Sequence, residues 1–82
     1  MVRLNRHFLD ARQLICPLPV IRTQDAIAVL ADGDELEVRA TDPGARHDIP
    51  AWCRVHGHEV LSETLENGEI VILIQIRRTI LT

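Results

Sequence analysis

Lysine and tyrosine are absent from this chain, phenylalanine and tryptophan occur once each, and there are only two cysteines. Each scarcity excludes something. Without lysine there is no Schiff-base nucleophile, and all nine basic residues are arginine. With so few aromatics the core must be aliphatic. Two cysteines are too few for a disulfide framework, and a reduced thiol suits a cytoplasmic protein better than a secreted one. The N-terminal stretch carries Arg3, Arg6 and His7 and no apolar h-region, so no signal peptide is expected. The longest hydrophobic run, Ile70 to Ile74, is far too short to cross a bilayer, so no membrane partner is expected. A net charge of −3, a pI near 5.7 and scattered arginines argue against direct nucleic-acid binding.

What is present is enough for one small domain, expected to span residues 1–82 with its core at about 6–78, and to act as a monomer. Phe8-Leu9-Asp10-Ala11, extended back toward Arg6, reads as a first strand. A helix is predicted from Pro17 to about Ala31, with Val20, Thr23, Ile27 and Leu30 at helical spacing and Gly33 ending it. Glu35 to Ala40 alternates polar and apolar residues, as a half-buried strand does. Asp42-Pro43-Gly44 is a turn. A second helix carries Ile49, Trp52 and Cys53 and stops at Gly57. Pro50 should lie in its first turn, with the cap between Arg46 and Asp48, because a proline deeper in a helix costs about 3 kcal/mol. His58 to Leu65 and Glu69 to Arg78 flank Asn67-Gly68, a strong hairpin signal. The order β-α-β-α-β-β predicts a two-layer α/β sandwich with both helices on one face of a mixed four-stranded sheet. If Ile70, Ile72, Ile74 and Ile76 face the helices, Val71 and Leu73 face outward as a candidate docking patch.

The chemistry concentrates at Cys16-Pro17-Leu18-Pro19. Proline favours the first helical position, so Cys16 is predicted as the helix N-cap. There its sulfur would meet unpaired backbone N–H groups and the positive end of the helix dipole. That stabilisation is at most about 2 kcal/mol, or roughly one pKa unit. It would raise the thiolate share at neutral pH from about 3% to about a quarter. Arg12 would add to the effect if it folded toward the sulfur. The competing reading is a buried, inert cysteine.

Leu9-Asp10-Ala11-Arg12, Cys16-Pro17-Leu18-Pro19-Val20, Asp42-Pro43-Gly44, Asp48-Ile49-Pro50 with Trp52-Cys53, and Gly57-His58-Glu59 together resemble the TusA/SirA family of small sulfur carriers. The likeness spans roughly residues 8–78. It implies a non-enzymatic carrier that accepts sulfane sulfur as a persulfide on Cys16, with no other cofactor. A cysteine desulfurase or rhodanese-like protein would supply the sulfur. An acceptor protein would take it toward tRNA thiolation, molybdenum-cofactor synthesis or sulfur oxidation. By position, Pro17 and Pro19 shape the helix start, and Asp10 and Arg12 orient the loop. Gln13 stands where many members have glycine, which implies a different loop there.

Other candidates have plainer explanations. Cys53, beside Trp52, reads as a core residue, with a resolving thiol as the alternative. Cys53, His56 and His58 form C-x₂-H-x-H, a poor match to a four-ligand zinc site, so no metal is expected. His58 reads as a helix-terminus residue. Asp42 and Asp48 read better as helix caps than as acid/base groups. The functional alternative is a non-catalytic regulatory or interaction module in which Cys16 is structural or redox-sensing.

Overall fold

The computed structural model describes residues 5–78, so the tail predicted at Thr79–Thr82 lies outside the described residues. Its elements are β1 (Arg6–Ala11), α1 (Leu18–Ala28), β2 (Glu35–Ala40), α2 (Ala45–Val55), β3 (Glu59–Glu66) and β4 (Glu69–Gln75). They form one four-stranded mixed sheet in the order β1-β2-β4-β3. β1 and β2 are parallel, while β4 runs antiparallel to both of its neighbours. β2 and β3 are therefore parallel to each other with β4 inserted between them.

Alternation explains which face is covered. Leu36, Val38 and Ala40 of β2 pair with Ile74, Ile72 and Ile70 of β4. All six join one buried cluster with Ile27 of α1 and with Ile49 and Cys53 of α2. The core is aliphatic, as the composition requires. The hairpin turn has φ of 52° at Asn67 and 80° at Gly68, the pair of positive values that a two-residue type I′ turn needs.

Three local readings change. α1 ends at Ala28 instead of about Ala31. The Arg78 guanidinium takes the carbonyls of Ile27 and Leu30, and Asp34 accepts the Ala31 N–H at 3.1 Å. Groups that would have continued the helix are thus claimed by other elements. α2 begins at Ala45, earlier than expected, so Pro50 sits inside the helix and is buried. Pro50 joins the hydrophobic side of α2, and the lost backbone bond is the cost of that placement. β4 ends at Gln75, although Ile76 remains fully buried and its N–H still bonds to Asp34 O at 2.8 Å.

The outer sheet face is not the apolar patch expected from Val71 and Leu73. Both residues lie on that face, opposite Arg39 and Glu37, but Val71 is only 7% exposed. Arg39 reaches Glu37, Glu66 and Glu69. Arg12 joins Asp10 to Glu69. Long charged side chains cover apolar surface with their stems while their heads stay in water, and that covering is what the strand pattern alone does not reveal.

Candidate functional site

The two loops that leave the carboxyl ends of β1 and β2 lie side by side, because those strands end in register at Ala11 and Ala40. Ligand sites of α/β sheets favour this edge. The first loop is braced at its start. Asp10 Oδ1 accepts the Arg12 backbone N–H at 3.1 Å and its Nε at 2.8 Å, and Asp10 Oδ2 accepts Nη2 at 3.0 Å. These bonds hold the Asp10 carboxyl down at about 2. Arg12 is thereby turned to Asp10 and Glu69, not toward the sulfur. Gln13 has φ of 66° and donates its N–H to Thr41 Oγ1 at 2.8 Å. Gln13 adopts the left-handed conformation itself, and the second loop clasps it.

Cys16 is exposed and Cys53 is buried. Pro17, not Cys16, is the N-cap of α1. The expected cradle of N–H donors is missing for a reason written in the motif. Pro17 and Pro19 have no N–H, and Leu18 spends its own on Ile15 O at 2.9 Å. Ile21 N–H bonds to Pro17 O at 3.2 Å. Val20 is left as the one first-turn amide without a backbone partner outside the helix.

The sulfur instead meets acid. Cys16 Sγ donates to Asp48 Oδ2 at 3.3 Å, and Asp48 lies in the first turn of α2. Asp48 is therefore not the helix cap expected of it; Gly44 holds that position without any side-chain cap bond. Asp42 does brace the turn, accepting the Gly44 N–H at 3.2 Å. Gly44 floors the niche. A Cβ placed there would lie 3.0 Å from Asp42 Oδ2, 3.7 Å from Asp48 Oδ2 and 3.9 Å from Cys16 Cβ. The Asp48 hydrogen bond, desolvation, and the charges of Asp48 and Asp42 push the Cys16 thiol above its ordinary value. This reverses the depressed value expected from the helix dipole.

A family model described as sulfurtransferase TusA matches residues 7–76. The chain belongs to the TusA family. It is 46% identical over 63 residues to YrkI of Bacillus subtilis, covering 77% of this chain and 83% of that protein. It is 42% identical over 67 residues to the sulfur carrier protein TusA of Pseudomonas syringae, covering 82% and 80%. The crystal structure of a SirA-like protein from Desulfitobacterium hafniense shares the fold, with a TM-score of 0.77, 24% identity and coverage of 88% and 99%.

In this TusA-family chain, sequence reasoning missed two features of the site. The first is the Cys16–Asp48 contact, for which the only signal was an acidic residue beside Pro50 with another explanation. The second is the exposure of three apolar side chains close to Cys16 in the chain, Ile15, Leu18 and Ile21, which are 70%, 41% and 44% exposed. Ile21 could have been noticed, since it falls off the buried stripe of Thr23 and Ile27.

The remaining candidates sit elsewhere. Cys53 is fully buried in the core cluster, and burial pushes its thiol up to about 11. His58 is also buried and is not a charged helix-end residue. Its Nδ1 accepts the Arg77 N–H at 3.1 Å, its ring stacks on Trp52 at 5.7 Å, and burial lowers its pKa. Among the described residues, no three His, Cys, Asp or Glu side chains converge as metal ligands, and no helix is long and apolar enough to cross a membrane. A cleft of about 580 Å³ is lined by Trp52, His56, His58 and Arg78 and does not include Cys16.

Proposed function

We propose that this chain is a cytoplasmic sulfur carrier, a single domain that holds sulfane sulfur as a persulfide on Cys16 and is not itself an enzyme. The observation that carries this reading is the placement of Cys16: the exposed thiol of the pair, on a loop braced by Asp10 and Thr41 and flanked in the chain by the exposed Ile15 and Leu18. Membership of the TusA family, with a relative named as a sulfur carrier, supports it.

The transfer needs no resident cofactor. The Cys16 sulfur attacks the terminal sulfur of a persulfide on a cysteine desulfurase or rhodanese-like donor. A new S–S bond forms as the donor's S–S bond breaks, and the electron pair leaves on the donor's cysteine sulfur. The thiol proton passes to that leaving thiolate or to water, so the exchange is redox-neutral. The loaded carrier repeats the step toward an acceptor protein serving tRNA thiolation, molybdenum-cofactor synthesis or sulfur oxidation. Pro17 and Pro19 fix the loop-to-helix junction, and the Asp10–Arg12 pair orients the loop. The Asp48 bond, which keeps the free thiol protonated, favours one second reading, an interaction module with a structural Cys16.

The test is intact-protein mass spectrometry after incubation with a desulfurase and cysteine, or with a rhodanese and thiosulfate. Wild type and Cys53→Ala should gain the mass of one sulfur atom, removable by dithiothreitol, and Cys16→Ala should gain none. Equal labelling of Cys16→Ala, or no labelling of wild type by either donor, would favour the interaction module.

A further inference from the structure

We infer that Asp48 is a positioning residue for the carrier thiol: its carboxylate accepts the Cys16 S–H and holds the sulfur of the free protein as an oriented, protonated thiol over the Gly44 floor. The inference rests on the reading of Cys16 as the sulfur acceptor and adds a restraint to it.

Four observations converge. The sulfur-to-carboxylate distance is 3.3 Å, within bonding range for a thiol donor. Asp48 makes no cap bond that would otherwise explain its place in the first turn. Gly44 leaves the space between the two loops open, where any Cβ would approach Asp42, Asp48 and Cys16 together. The prolines on either side of Leu18 remove N–H groups that could compensate a thiolate. The charged groups acting on the sulfur are Asp48 from α2 and Asp42 from the β2–α2 loop, both acidic, while Arg12 of the β1–α1 loop is held by Asp10 and Glu69.

The consequence is selectivity. A thiolate formed beside two carboxylates is disfavoured, so the unpartnered carrier resists stray alkylation and oxidation. Once sulfur is loaded, the S–H donor to Asp48 is gone. A persulfide is anionic near neutral pH, so its terminal sulfur is repelled from the carboxylates toward the mouth of the niche and the incoming acceptor.

The test is the rate of iodoacetamide alkylation of Cys16 between pH 6 and 11, read by peptide mass, in wild type, Asp48→Asn and Asp42→Asn. The wild-type inflection should lie above the ordinary cysteine value of about 8.5. Asp48→Asn removes the charge at nearly constant size. It should move the inflection down by about one unit and raise the alkylation rate at neutral pH about tenfold. Asp42→Asn, which acts through charge alone, should move it less and in the same direction. A wild-type inflection at or below 8.5, or an Asp48→Asn profile that is unmoved or shifted up, would overturn the inference. The wild-type arm needs no variant to fold. No arm needs a sulfur donor, so a failed loading experiment on Cys16 would count against the carrier reading and leave this result to stand separately.

Discussion

The two ends of the helical layer treat the same physical problem in opposite ways. At the carboxyl-terminal end, distant residues satisfy the helix. Arg78, just beyond β4, donates to the carbonyls of Ile27 in the last turn of α1 and of Leu30 just after it. His58 offers a neutral ring nitrogen to the Arg77 N–H beneath Trp52. At the amino-terminal end, little is left to compensate a negative charge: the Val20 amide is the one first-turn N–H without a backbone partner outside the helix. Two prolines delete the donors that would stabilise an anion, and Asp42 and Asp48 add negative charge beside the thiol. The first end is built to hold the fold. The second keeps a neutral sulfur accessible. An active-looking cleft with aromatics and arginines thus forms at the end without the cysteine, because its polar groups are spent on structure.

The contrast is broken most strongly by exchanging its ends. Arg78→Ala should lower stability by about 1–2 kcal/mol, since charged hydrogen bonds to helix carbonyls are lost, discounted for their partial exposure. Cys16→Ala should change stability by less than about 0.5 kcal/mol, because the side chain is exposed. Urea unfolding of both variants makes the comparison, and equal losses would erase the distinction between the ends.

A smaller effect is expected from pH. Burial lowers the pKa of His58, followed in size by the charges of Arg78 and His56. Below about 6.5 the unfolded chain takes up a proton there that the folded chain resists. The unfolded state then binds more protons, and stability rises with pH through that window and levels above it. His58→Gln should flatten the slope of unfolding free energy between pH 5 and 7. A slope unchanged by that substitution would assign the dependence to other groups.

The smallest effect sharpens the loop that carries Cys16. A non-glycine residue in the left-handed region costs about 1–2 kcal/mol, while glycine at the same place costs about 0.5–1 kcal/mol more in lost chain entropy. Gln13→Gly should therefore stabilise the protein by up to about 1 kcal/mol. Gln13→Val should destabilise it, since a branched side chain tolerates that conformation worst. Thermal unfolding of the pair measures both shifts, and opposite signs are the expected outcome.

Much of this was legible from residue patterns. The alternation in Glu35–Ala40 placed β2 at its observed bounds, and Asn67-Gly68 placed the hairpin. The apolar spacing on Thr23 and Ile27 found the buried face of α1. The cysteine of interest stood out by its prolines. Yet the electrostatics of that cysteine came out with the wrong sign. Reasoning from the helix start treated its amides as free, although the motif's own prolines had already removed two of them and Leu18 spends its own on Ile15 O.

The sequence alone determined the element order, the aliphatic core and the alternating faces of β2 and β4, and it set Cys16 apart from Cys53 by its flanking prolines. Each of these follows from periodicity, composition or chain-local chemistry. Only the tertiary structure decided what surrounds the sulfur, why α1 ends at Ala28 and why the outer sheet face is ionic. Those features pair Cys16 with Asp48, Ile27 with Arg78, and Arg39 with Glu69, residues thirty or more positions apart. Such contacts form when the sheet brings its loops and edges together, and no local window of the chain contains both partners.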